Sequence, residues 1–129
     1  MYRPMICSLL YVTTTRPDVM HAVFQVASFQ ASPKDSHLLT VKRIFRYLKS
    51  TTEYSLWYPQ GNHLDLYAFT DVDWACCVDD SKSTSGATFY LGECLVSWSS
   101  KKQSTVSLST AEAKYIAAAN GCTQILSMK

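Results

Sequence analysis

The chain has 129 residues, 47% of them hydrophobic, and a formal net charge of +2 at pH 7. A chain of this length forms one domain of ordinary size or parts of two, and its hydrophobic content excludes disorder. The small net charge excludes a polycation, so contact with nucleic acid requires a local basic patch. The apolar run Met5–Val12 is too short to span a bilayer, and we expect no membrane partner.

The cysteines indicate a reducing environment. Their number is odd, their spacing is irregular, and no C-x-x-C pair or zinc-ligand pattern occurs among them. They are Cys7, Cys76, Cys77, Cys94 and Cys122. We therefore predict reduced thiols and an intracellular protein, with the compartment left open.

The first 50 residues are predicted to form three helices. Pro17, followed by the acidic Asp18, is typical of a helix start, and apolar residues at helical spacing extend the helix over residues 17–31. Ser32-Pro33 ends this helix and begins another. The apolar face of the next helix comprises Leu38, Val41, Ile44, Phe45 and Leu48.

That last helix also carries a basic stripe, which we call the basic face. Its members are Lys42, Arg43, Arg46 and Lys49. The stripe is either an ordinary solvated helix surface or a surface for phosphate contacts that are independent of sequence and sensitive to salt. Lys101 and Lys102, beside Trp98, are a candidate extension of the same track.

The remainder of the chain is predicted to form strands and a helix. Alternating apolar residues give a strand over residues 64–71, and Gly92-Glu93 joins residues 87–91 and 94–99 in a tight hairpin. Ser109 begins a helix that runs to about Met128. The predicted class is therefore α+β, with N-terminal helices followed by three antiparallel strands and a helix.

Seven motifs in order along the chain resemble copia-type retrotransposon Pol polyproteins. Those similar to the end of the reverse transcriptase are Ser8–Thr13, Thr15–Asp18 and Lys42–Lys49. Those similar to the ribonuclease H part are Thr70–Ala75, Ser81–Gly86, Val96–Gln103 and Ser109–Ala113. The resemblance implies that residues 1–60 are the helical tail of a reverse transcriptase. It also implies that residues 61–129 are the N-terminal half of a ribonuclease H-like domain, truncated after its first helix.

The resemblance also implies a site. In the family an aspartate at the end of the first strand binds a metal ion, and Asp71 occupies its place. The next helix supplies a glutamate in an Ala-Glu-x-Ile-Ala pattern, and here that position is Lys114. Two further aspartates of the pattern would follow Lys129. Such enzymes cleave the RNA strand of an RNA–DNA hybrid with two Mg²⁺ or Mn²⁺ ions.

Asp73 and Glu112 are weaker candidates for metal ligands. Asp73 shares a face with Asp71 if the strand continues that far. Glu112 is either a substitute ligand or the second member of a capping box, returning to the backbone N–H of Ser109. Positions 112 and 114 are about 200° apart around a helix, so Glu112 does not point where residue 114 points.

These residues predict a Pol remnant that is inactive by itself and does not bind the ions productively. An ammonium group at Lys114 would repel divalent cations or pair with Asp71, and like charges about 4 Å apart cost several kcal/mol near a protein surface. Two alternatives stay open. One is an active ribonuclease H acting on RNA–DNA hybrids, and the other is a silent module that binds nucleic acid. The remainder of a Pol polyprotein is a further expected partner.

Overall fold

The computed structural model describes residues 1–61, 64–75 and 81–129, so Cys76 and Cys77 lie outside it. These residues form two compact units, Met1–Leu56 and Trp57–Lys129. The first is helical and the second contains a sheet and a helix, which confirms the predicted α+β class. None of the helices among the described residues has the length and apolar character needed to cross a membrane. The assignment of residues 1–60 and 61–129 to two parts of a polyprotein stays a prediction.

Three α-helices form the first unit, as predicted. They are α1 (Tyr2–Val12), α2 (Met20–Ala27) and α3 (Asp35–Ser50), and a 3₁₀ turn at Pro17–Val19 precedes α2.

The predicted helix over residues 17–31 was too long at its C-terminal end, because α2 stops at Ala27. Beyond it, the N–H of Phe29 bonds the carbonyl of Val26, and the N–H of Gln30 bonds that of Ala27, at 3.3 and 3.2 Å. These bonds span three residues and tighten the chain into turns. The Ser28 hydroxyl also donates to the Gln25 carbonyl at 2.7 Å, a local bond that competes with helix continuation.

The core of the first unit lies between its three helices. It comprises Tyr2, Ile6, Leu9, Val19, Val23, Val26, Val41 and Ile44. The hydroxyl of Tyr2 donates to the carbonyl of Val26 at 2.6 Å, so α1 is hydrogen-bonded to α2 within this apolar layer. Burial raises the pKa of the Tyr2 hydroxyl above its ordinary value.

A polar cluster around Arg16 joins the start of the 3₁₀ turn to the end of α3. The guanidinium donates to the Asp18 carboxylate at 2.9 and 2.7 Å. It also donates to the carbonyl and the hydroxyl of Thr51, at 3.0 and 2.8 Å. The Tyr47 hydroxyl donates to Asp18 at 2.9 Å, and the rings of Tyr47 and Tyr54 lie 5.9 and 5.8 Å from the guanidinium carbon.

The second unit contains an antiparallel sheet in the order β1-β2-β3. Its strands are β1 (Leu66–Asp73), β2 (Thr84–Leu91) and β3 (Cys94–Lys102). The hairpin between β2 and β3 is confirmed, and Gly92 in its turn has a φ of +60°, a conformation that glycine adopts without strain. The first strand was predicted to end near Asp71, but it continues to Asp73, which lies opposite Thr84 in the ladder.

Helix α4 (Thr110–Met128) packs on one face of this sheet, mainly against β1. Its buried residues are Ala113, Ala117 and Gly121, one turn apart and all small. A Cβ atom at position 121 would lie only 2.5 Å from Cγ2 of Thr70. The absence of a side chain at Gly121 therefore permits the close approach of the helix to the strand.

The Arg16 cluster predicts how stability depends on pH. The hydrogen bond from Arg16 is the largest cause that holds the pKa of Asp18 below its ordinary value. The stabilisation that Asp18 supplies is therefore fully present above about pH 5 and is lost as the pH falls below about 4. Replacing Asp18→Asn should lower the free energy of unfolding by about 1 kcal/mol at pH 7 and by less at pH 3.

Urea unfolding of the full chain at several pH values measures this difference. Glu53→Gln is the matched control, since it removes one exposed acid of the same unit that forms no ion pair among the described residues. A loss of stability that is equal at pH 3 and pH 7 would contradict the assigned role of the Asp18 charge.

Candidate functional site

The two faces of β1 determine where the candidate carboxylates lie. Thr70 faces α4 at Gly121, and successive side chains of a strand alternate between its faces. Asp71 and Asp73 therefore both project from the face opposite α4, and both are exposed. The carboxylate of Asp71 accepts a hydrogen bond of 2.8 Å from the N–H of Val72.

Lys114 lies near the start of α4, next to the buried Ala113, and is exposed. Within the described residues no ion pair joins Lys114 to Asp71. The salt bridge suggested by the sequence is therefore not formed, since α4 packs on the face of the sheet from which Asp71 points away. In the same parts of the chain, no group of three His, Cys, Asp or Glu side chains is placed to hold a metal ion.

Glu112 is held at the beginning of α4 by reciprocal capping bonds. Its N–H donates to the hydroxyl of Ser109 at 3.2 Å, and its carboxylate accepts from the N–H of Leu108 at 2.7 Å. The capping box was predicted with the N–H of Ser109 as the donor, so the structure shifts that bond by one residue. A carboxylate at this position also interacts favourably with the positive end of the helix dipole.

A buried amide that the sequence analysis did not identify holds the start of α4 against the sheet. Gln103 is 6% exposed, and its Nε2 donates to the Ser85 hydroxyl at 2.8 Å and to the Ala113 carbonyl at 3.0 Å. Its Oε1 accepts from the hydroxyl of Ser107 at 3.2 Å, and its backbone N–H donates to the carbonyl of Ser83 at 2.8 Å. Gln103 thereby positions the segment that carries Glu112 and Lys114. Its place at the end of a polar strand gives no periodic signal of burial.

The face of the sheet that carries Asp71 also bears an aromatic cluster, formed by Tyr67, Phe69 and Tyr90. The rings of Tyr67 and Tyr90 stack with centroids 5.4 Å apart and an interplanar angle of 6°. Phe69 is nearly perpendicular to both, at centroid distances of 5.7 and 5.8 Å. The spacing of two residues between Tyr67, Phe69 and Asp71 was the available signal for this shared face.

The basic face of α3 is exposed, as a solvated surface or a phosphate-binding surface requires. Its four members, Lys42, Arg43, Arg46 and Lys49, are all exposed. Val41 and Ile44, on the opposite side of the helix, belong to the core. Lys101 and Lys102 are exposed at the end of β3, in the other compact unit.

Comparison with known proteins finds several relatives that match over most of the chain. The chain is 44% identical over 119 residues to the Retrovirus-related Pol polyprotein from transposon RE1 of Arabidopsis thaliana. The aligned region is 92% of this chain and 8% of that polyprotein. It is 42% identical over 118 residues to the corresponding polyprotein from transposon TNT 1-94 of Nicotiana tabacum, and this region is 91% of this chain and 9% of that polyprotein. It is also 39% identical over 117 residues to the Secreted RxLR effector protein 161 of Plasmopara viticola, and this region is 90% of this chain and 82% of that protein. No protein-family profile and no solved structure matches the chain.

The capping contacts predict a structural role for the start of α4. Replacing Ser109→Ala removes an N-cap acceptor, which should lower the free energy of unfolding by about 1 kcal/mol. Ser127→Ala is the control, because this hydroxyl bonds a carbonyl in the last turn of the same helix. Chemical unfolding, with and without Mg²⁺, measures the free energy of unfolding of both variants. Equal stabilities for Ser109→Ala and Ser127→Ala would show that the cap contributes nothing.

Proposed function

Because this chain belongs to the copia-type retrotransposon Pol polyproteins, we propose that it is a remnant of their reverse transcriptase and ribonuclease H region without nuclease activity of its own. It spans less than a tenth of the length of the transposon polyproteins that it matches, 8% in the first of them. The remainder of such a polyprotein is the partner that this relationship favours.

The observation that carries the proposal is the position of the acid on α4. Glu112 is the one acidic residue of this helix, and its carboxylate bonds the N–H of Leu108 at 2.7 Å. The position where the family pattern has a glutamate is occupied by the cation Lys114. In this arrangement, α4 places no carboxylate on the face of the sheet from which Asp71 projects.

The remaining donors do not fit the metal ions that the family implies. Hydrolysis by two ions requires several carboxylates that converge on cations about 4 Å apart. Asp71 and Asp73 lie two residues apart on one strand face, a separation of roughly 7 Å along the strand. Two exposed carboxylates in a row do not enclose a pair of Mg²⁺ or Mn²⁺ ions, and we derive no catalytic step through them.

A cleavage assay on a labelled RNA–DNA duplex tests this proposal. We expect no Mg²⁺-dependent cleavage by the chain above the level seen with Asp71→Asn, since neither protein assembles the required ligands. Activity that Asp71→Asn abolishes would overturn the proposal and favour the alternative, an active hybrid-cleaving nuclease.

Binding of Mn²⁺ provides a second readout in the same experiment. Lys114→Glu should leave Mn²⁺ binding unchanged, because α4 packs on the face of the sheet opposite to Asp71 and a carboxylate at position 114 does not reach an ion there. Lys129→Glu makes the same change of charge at the end of the chain and serves as the control. Tighter Mn²⁺ binding by Lys114→Glu than by Lys129→Glu would contradict this placement of residue 114.

A second candidate function is nucleic-acid binding without catalysis. The exposure of all four cations on the basic face of α3, with Val41 and Ile44 buried behind them, favours this proposal. Contacts from such a face reach phosphates and not base edges, so binding would be independent of sequence.

Filter binding at several salt concentrations measures this function. Four phosphate contacts predict that the logarithm of the association constant falls with the logarithm of salt concentration with a slope of about −3 to −4. Replacing Lys42→Gln and Arg46→Gln together should reduce that slope by about 2. Arg3→Gln, which removes an exposed cation of α1, is the control. Binding that is unaffected by both salt and the double substitution would exclude the basic face.

A further inference from the structure

One pair of residues in α4 has a chemical reactivity of its own. Asn120 is the one asparagine of the chain that a glycine follows, and the pair lies in the second half of the helix. The side-chain amide of an asparagine is open to attack by the backbone nitrogen of the next residue. Glycine at that position favours the attack, because it has no Cβ to hinder the approach and its backbone is flexible. The sequence therefore contains an amide that is prone to lose ammonia.

The folded helix opposes this reaction. In an α-helix the N–H of residue 121 is hydrogen-bonded to the carbonyl of residue 117, so the attacking nitrogen is engaged. Gly121 is also buried against β1, where a Cβ atom would lie only 2.5 Å from Cγ2 of Thr70. Asn120, in contrast, is exposed to solvent. Water thus reaches the amide in the folded state, but the nitrogen becomes available only when α4 opens locally.

We propose that Asn120 is a site of spontaneous deamidation and that the opening of α4 controls its rate. The backbone nitrogen of Gly121 gives up its proton to solvent and bonds to Cγ of Asn120. The C–N bond of the side-chain amide breaks, and ammonia leaves. Water, the only co-reactant, then opens the resulting succinimide at one of its two carbonyls and gives either aspartate or isoaspartate. The reaction does not depend on nuclease activity or on nucleic acid.

The two products differ in their effect on the packing of α4. Ala113, Ala117 and Gly121 are the small buried residues of the helix, spaced one turn apart. Isoaspartate at position 120 adds a methylene group to the main chain, which interrupts the helical hydrogen bonds and displaces Gly121 from its place above Thr70. Aspartate leaves the main chain unchanged and places its carboxylate in solvent. Only the isoaspartate product therefore releases the second half of α4 from β1.

Peptide mapping of the full chain measures the reaction. The tryptic peptide Tyr115–Lys129 contains Asn120, and deamidation changes its mass, while isoaspartate also changes its chromatographic retention. The chain is incubated at mildly alkaline pH, in buffer and in concentrated urea. We expect conversion to be at least about tenfold slower in buffer than in urea, since only the open state reacts. Equal rates under the two conditions, or no conversion in urea, would overturn the proposal.

Two alanine substitutions test the control by α4. Ala119→Gly changes an exposed residue in the interior of the helix. It should raise the rate in buffer about fivefold, because glycine stabilises a helix less than alanine does. Ala31→Gly makes the same change in the turn after α2 and should leave the rate unchanged. Equal rates for the two variants in buffer would overturn the proposal. If Ala119→Gly fails to fold, the comparison of buffer and urea on the unaltered chain still decides.

Hydrogen exchange on the separated isoaspartate product tests its effect on packing. We expect the backbone amides of residues 115–129 to exchange faster in this product than in the unreacted chain, because the second half of α4 is no longer held on the sheet. Asn120→Asp reproduces the other product and is the matched control, with exchange expected to equal that of the unreacted chain. Equal protection of the isoaspartate product and Asn120→Asp would overturn the assigned effect on packing.

Discussion

The alternation of side chains along β1 is the constraint on which the second unit depends. Thr70 packs beneath α4, where Gly121 has no Cβ and the helix approaches closely. Asp71, the next residue, must therefore project from the opposite face. A shift of one residue in the pairing of β1 with β2 would exchange the two faces, bringing Asp71 under the helix and turning Thr70 away from it. The close contact between Thr70 and Gly121 specifies the register and so places the carboxylate.

Local sequence signals were sufficient to predict most of the elements. The Gly92-Glu93 turn, the helix start at Ser109 and the break at Ser32-Pro33 each depend on residues whose conformational preferences act over a few positions. Boundaries set by competing hydrogen bonds were not predictable in the same way. The end of α2 at Ala27 depends on bonds that span three residues and on a serine side chain, and apolar periodicity alone extended the helix past it.

The positions of Asp71 and Glu112 in the secondary structure were predictable from the sequence, but their arrangement in space was not. The sequence placed Asp71 near the end of a strand and Glu112 in the first turn of a helix, and the structure has both there. The face of the sheet on which α4 lies is determined by packing between residues that are distant in the chain. The local pattern of apolar and polar residues carries no information about that packing. Gln103 was missed for a related reason: its burial depends on partners in β2 and α4 that the fold brings to it.

The order β1-β2-β3 also bears on how the second unit folds. Each strand pairs with its neighbour along the chain, so the sheet assembles from two successive antiparallel pairings without any crossover. Loops that close over short separations lose little chain entropy, and proteins rich in such local contacts reach the native state quickly. This topology favours early formation of the β2–β3 hairpin, whose turn contains Gly92, because its strands are close along the chain.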